Sequence, residues 1–180
     1  VGLLLDESIE LNIAFTAMQV GGKFLRRCGP FRLQDDAEIR RHSARMIKDL
    51  DIRCESPEQH TGSLSGGNQQ KVCVARALTQ DPELLFVSEP TRGIDIGAKK
   101  LILDLLLELN EKMGMTIVMT SSELAELRSI CDRILIICEG RVAGELAPDA
   151  SDADFGLMMS GSRLKKAEES AEEVGSHGRA

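Results

Sequence analysis

Neither tryptophan nor tyrosine occurs among the 180 residues, and there are only five phenylalanines, so aromatic stacking has little part in any recognition the chain performs. No run of about 18 apolar residues exists, and the opening VGLLLDESIE has no basic stretch ahead of its short apolar one. The chain therefore reads as neither a helical membrane span nor a secretion signal. Positive charge is in deficit, 22 Lys and Arg against 29 Asp and Glu, which gives a net charge of -7 and an isoelectric point near 5.1. Nucleic-acid binding needs clustered cations, so RNA and DNA are poor partners for this composition. Cys28, Cys54, Cys73, Cys131 and Cys138 form no C-x-x-C pair and have no histidine at metal-ligand spacing, which fits reduced thiols in a cytosolic protein. Cys73 and Cys138 sit in apolar stretches and read as small core residues. The first residue is Val1 rather than methionine, which reads as a fragment of a longer protein.

Hydrophobic spacing organises the rest. Ile9, Ile13 and Ala17 share one helical face, and Ile39, Met46, Ile47 and Leu50 mark a second helix opened by Asp35 and Asp36. Between them, GGKFLRRCGP reads as a basic, Gly-rich loop or irregular arm. A helix over 66–79 leads to the strand-length run ELLFVS and a turn rich in Pro, Gly and Asp. A long helix over 98–113 follows, with Leu101, Ile102, Leu105, Leu106 and Leu109 on its buried side. Next come strand TIVMT, helix SELAELRSI, strand RILIIC, the two-residue turn Glu139-Gly140 and strand RVAGEL. This alternation predicts a parallel sheet covered on both faces and finished by an antiparallel hairpin. Ser151 and Asp154 predict a capped terminal helix containing FGLMM, and after Gly161 the composition is that of a disordered tail.

The stretch TGSLSGGNQQKVCVARAL places two glycines directly before a helix. A helix N-terminus presents unpaired N–H groups and a partial positive charge, and glycine lets a phosphate approach the backbone. The plain alternative is a turn in which Ser65 is only an N-cap. The context decides between the two. LSGGNQQK, from Leu64 to Lys71, closely resembles the ABC-transporter signature in the form used by simple-sugar importers. An apolar strand ending in Ser88-Glu89-Pro90-Thr91 follows, and then RGID, GAK, TSSELAEL and CDRILIICEGRV in family order.

The resemblance is to the second nucleotide-binding domain of the tandem ATPase subunit of sugar or nucleoside importers, over about 1–161. It implies an α/β fold, a partial P-loop NTPase-like ABC ATPase domain. Its parallel sheet is flanked by helices, with a helical subdomain over 1–62, signature helix and catalytic core over 63–161, a C-terminal β-hairpin and a tail over 162–180. It implies that Glu89 polarises the attacking water. Leu64, Ser65, Gly66, Gly67, Asn68 and Gln69 would close over the γ-phosphate of an ATP held by a second ATPase domain, and Asp95 would couple the two sites. ATP with Mg²⁺, permease subunits and, indirectly, a substrate-binding protein are the implied cofactors and partners, at the cytoplasmic face of the membrane. Taken alone, Glu89 reads equally as a solvated carboxylate, Arg92 with Asp95 as a surface ion pair, and Asn68, Gln69 and Gln70 as a solvated helical turn.

Three departures qualify the resemblance. Ser88 stands where the family has the aspartate that helps hold Mg²⁺, and Ser122 where it has a histidine that contacts the γ-phosphate. No G-x-x-x-x-G-K-[ST] phosphate loop occurs in the chain; Gly21-Gly22-Lys23-Phe24 has neither the spacing nor the hydroxyl. Weak or no ATP binding by these residues alone is expected. His42, His60 and His177 read as solvated, and Met158 and Met159 as packing residues. The competing functions are a hydrolytic transport motor, a degenerate half-domain that completes a partner's ATP site, and a soluble ABC ATPase of DNA repair or translation. The acidic balance and the NQQK form disfavour the last.

Overall fold

Ile9, Ile13 and Ala17 are fully buried along one face of the first helix, α1 (Ile9–Gly21), as their spacing predicts. The computed structural model describes residues 2–161, so the tail lies outside the described residues. Ser8 caps α1 by accepting from the Leu11 N–H at 3.2 Å, and Gly22 ends it in the left-handed conformation. The second helix, α2 (Asp36–Asp49), is capped by Asp35, which accepts from the Glu38 N–H at 3.1 Å. A hydrogen bond from the Arg26 guanidinium to Asp35 holds that carboxyl below the usual range.

GGKFLRRCGP is not irregular, as the reading of a loop had it. Leu25–Cys28 and Phe31–Gln34 pair as an antiparallel hairpin, β1 and β2, with Arg27 opposite Arg32 and Cys28 opposite Phe31. The strand period was hidden because both faces are largely exposed, so no alternation of apolar and polar residues marks it.

The helix that begins at the glycine pair is α3 (Gly66–Leu78), and it packs on α1. It leads to β3 (Leu84–Ser88), α4 (Ile96–Met113) and β4 (Thr116–Thr120). β3 and β4 run parallel in the register Leu84 to Thr116 through Ser88 to Thr120. Ile102, Leu106 and Leu109 are buried along α4, while Leu101, expected inside, is half exposed. The expectation of a sheet covered on both faces is corrected. Leu84, Phe86 and Val118 share one face of the β3–β4 pair and are exposed, so among the described residues that face is left uncovered, while α4 packs against the pair.

Residues 2–120 form one compact unit and residues 121–161 a second. The second unit holds α5 (Leu124–Ile130), β5 (Ile134–Cys138), β6 (Arg141–Leu146) and α6 (Asp152–Met159). β5 and β6 form the expected hairpin. Both turn residues, Glu139 and Gly140, have positive φ, at 51° and 75°, which matches the right-handed twist of the strands. Ile134, Ile136, Phe155 and Met158 make its core. Ser151 caps α6 together with Asp154, as the sequence predicts.

Candidate nucleotide-contacting site

The turn from Leu64 to Asn68 is built before any ligand is considered. Leu64 is buried and anchors it, while Ser65 and Gly66 are exposed. Ser65 stands at the N-cap position, but its hydroxyl does not accept from a helix N–H. It accepts instead from Asn68 Nδ2 at 3.0 Å, and Asn68 Oδ1 accepts from the Arg53 N–H at 2.9 Å. The Gln69 amide donates back to the Leu64 carbonyl at 3.0 Å and closes the turn. The side chains of Asn68 and Gln69 are thus spent on the turn itself rather than left solvated. Among the described residues the N–H groups of Gly66, Gly67 and Asn68 have no acceptor, and the Ser65 hydroxyl proton remains available. Three converging donors at the positive end of a helix dipole suit an anion.

The glycines also answer to a neighbour. A Cβ on Gly67 would lie 2.8 Å from the Ala98 methyl, and one on Gly66 would lie 3.1 Å from Ile94 Cγ2. The turn is therefore clamped against the RGID segment and the start of α4. Asp95 caps α4 by accepting from the Ala98 N–H at 2.9 Å, so it is a helix cap rather than the partner of Arg92. Ser65, Gly67, Asn68 and Asp95 line one groove of about 240 Å³ with Arg53 and Lys71. Lys71, which the motif alone gave no role, is buried and donates to the Asp51 carbonyl at 2.7 Å. A lysine inside an otherwise apolar helix face was the signal for such an anchor.

Glu89 follows β3 directly. Its N–H donates to the Thr120 carbonyl at 2.8 Å, and its φ of 47° is left-handed, a conformation that costs a non-glycine residue about 1–3 kcal/mol and recurs at functional sites. The half-buried Glu89 is thereby turned out of the strand line at the C-terminal end of the parallel pair. At the same end Ser88 accepts from the Thr120 hydroxyl at 3.1 Å. The hydroxyls of Ser88 and Thr120 thus stand beside Glu89 at this end of the pair. Ser122 lies exposed in the second unit, where its neighbour Ser121 accepts from the Glu123 N–H at 3.0 Å and donates to the buried Glu126 at 2.9 Å.

His42 is not solvated, contrary to its sequence reading. Arg45 donates to its Nδ1 at 3.1 Å, which leaves Nε2–H to donate to the Thr79 hydroxyl at 2.9 Å. Burial, with the charges of Arg45 and Lys23, pushes its pKa down and keeps the ring neutral.

Known proteins share the sequence pattern and the fold. The family described as ABC transporter matches residues 4–92. The chain is 42% identical over 163 residues to the ribose import ATP-binding protein RbsA of Bacillus subtilis (strain 168), covering 90% of this chain and 31% of that protein. It is 44% identical over 146 residues to the xylose import ATP-binding protein XylG of Moorella thermoacetica, covering 81% of this chain and 27% of that one. The chain thus spans about a third of the length of the curated relatives it matches. Among solved structures, a dimeric post-hydrolysis state of the ATP-binding cassette MJ0796 bound to ADP and Pi superposes with a TM-score of 0.65 at 24% identity. That match covers 83% of this chain and 60% of the other, and shows the shared fold. Ordered motifs, fold and relatives coincide, and the chain belongs to the ABC-transporter ATP-binding family.

Proposed function

We propose that the chain is part of an ATP-hydrolysing subunit that energises uptake of a simple sugar, or a nucleoside, through an ABC importer. The observation that carries this reading is the turn from Ser65 to Asn68, where Ser65 and Gly66 are exposed and, among the described residues, the N–H groups of Gly66, Gly67 and Asn68 have no acceptor at a helix N-terminus. The turn serves a nucleotide presented by a second ATPase domain, the arrangement implied by the likeness of LSGGNQQK to the family's signature. The three N–H groups and the Ser65 hydroxyl stabilise charge on the terminal phosphate. Glu89 orients the attacking water, and Asp95 with the α4 start carries closure of one site to the other. Mg²⁺, when bound with ATP, neutralises phosphate charge, and Ser88 is the residue here that would orient one of its waters. The partners are permease subunits at the cytoplasmic face of the membrane and, through them, a substrate-binding protein. The helical part over 1–62 is the subdomain that meets the partner, and 63–161 supply the signature helix and core.

A second reading, a degenerate half-domain that completes a partner's ATP site without hydrolysing at its own, is favoured by the hydroxyls at Ser88 and Ser122. Glu89→Gln in the full-length subunit separates the two. Loss of most turnover with ATP binding retained supports the hydrolytic role, and unchanged turnover eliminates it. Gly66→Asp tests the turn: retained turnover would overturn both readings.

A further inference from the structure

Asn12 is fully buried in the first turn of α1 and far along the chain from the signature turn, yet both ends of its amide are engaged with segments that frame that turn. Its Oδ1 accepts from the Leu4 N–H and from Arg76 Nη2, each at 2.9 Å. Its Nδ2 lies 2.9 Å from the buried Thr61 hydroxyl, 2.8 Å from the Leu4 carbonyl and 3.0 Å from the Ser8 carbonyl. Arg76 adds Nε to the Asn12 carbonyl at 2.9 Å and Nη1 to the Gly2 carbonyl at 2.7 Å. Thr61 lies four residues before Ser65, and Arg76 lies in the last turn of the helix that Ser65 begins. One buried amide therefore grips the chain entering the turn and the helix leaving it. Backbone pairs lace the same entry segment to the start of α1: Thr61 N–H to the Glu7 carbonyl at 3.0 Å, Gly62 N–H to the Leu5 carbonyl at 2.8 Å and Ile9 N–H to the Gln59 carbonyl at 3.0 Å.

We propose that Asn12, acting through Thr61 and Arg76, is a positioning residue for the signature turn, fixing where its N–H groups aim. This rests on the reading that the turn grips a terminal phosphate. A buried polar network with every member satisfied specifies one arrangement, and leaving one group unpaired lets the others rearrange. Electrostatic stabilisation of a developing charge depends on donor position within fractions of an ångström, so a small rotation of α3 lowers turnover. On the same reading the nucleotide is presented by a second domain, so its affinity is spared.

The test uses the full-length subunit with Thr61→Val, which keeps the shape and removes one hydroxyl, and Arg76→Lys, which keeps the charge and loses the fork. Ile13→Val, buried in the same helix and with no hydrogen-bonding group in its side chain, is the control for lost stability alone. The expected result is a kcat lower by about tenfold in both network variants, KM and Kd for ATP within about twofold, and a control that loses melting temperature but not kcat. Network variants whose kcat equals that of the control, or whose loss lies wholly in KM, would overturn the positioning role. Gly66→Asp in parallel keeps the two ideas apart. If it abolishes turnover while the network variants do not, positioning alone fails; if it leaves turnover intact, the phosphate-gripping reading fails with it.

Discussion

The Gly67 backbone and the Ala98 methyl meet so closely that a Cβ on Gly67 would lie 2.8 Å from that methyl. Gly67, in the turn proposed to meet a phosphate, is thus also the glycine that lets α3 dock on α4.

Gly67→Ala follows directly. Helix propensity returns about 1 kcal/mol, but overpacking costs about 1–3 kcal/mol because Ala98 sits on α4 and cannot swing aside. A lower denaturation midpoint is expected, with Ala98→Gly restoring most of it. Denaturant unfolding of the single and double variants measures this, and additive losses would show that the two residues do not clash.

Left-handed backbone at Glu89 gives a second prediction. Glu89→Gly removes the conformational penalty and raises stability by about 1 kcal/mol, while Glu89→Gln, which keeps the penalty, leaves stability nearly unchanged. Both abolish turnover if Glu89 orients water. Thermal unfolding beside an ATPase assay separates the backbone effect from the carboxylate effect.

His42 makes stability depend on pH with a definite sign. Its folded-state pKa is lowered, first by burial and then by Arg45 and Lys23, with Asp81 and Glu38 opposing. The unfolded chain then binds the proton more readily. The contribution is fully present above the ordinary imidazole value and is lost as pH falls through that value toward the lowered one. Unfolding free energy measured from about pH 8 to about pH 5 should fall on acidification, and His42→Gln should flatten that part of the slope.

In the second unit, the Arg128 guanidinium lies 4.7 Å from the Phe155 ring centroid, pairs with Asp152 at 2.8 Å and donates to the Ala150 carbonyl at 2.8 Å. A lysine cannot stack and fork at once. Arg128→Lys should cost about 1–2 kcal/mol, read as earlier loss of protection in the β5–β6 amides by hydrogen exchange.

Periodicity and turn chemistry made most elements legible in the sequence. Ile9, Ile13 and Ala17 announced α1, Glu139-Gly140 announced the hairpin, and Ser151 with Asp154 announced the last cap, because each obeys a local rule of geometry. The hairpin at 25–34 escaped because its exposed strands, with Arg27 facing Arg32, carry no buried face to set an alternation. His42 escaped because its burial comes from Thr79 and Phe24, distant in the chain.

Membership of the family was legible in residue order alone: LSGGNQQK at the start of a helix, then Ser88-Glu89-Pro90-Thr91 after an apolar strand. What each group does locally was decided in three dimensions. Ser65 bonds to Asn68 rather than capping α3, Asp95 caps α4 rather than pairing with Arg92, and Glu89 takes a left-handed backbone against Thr120. A motif fixes which chemical groups are present and in what sequence, but a hydrogen bond is made only by the donor and acceptor that packing brings within about 3 Å.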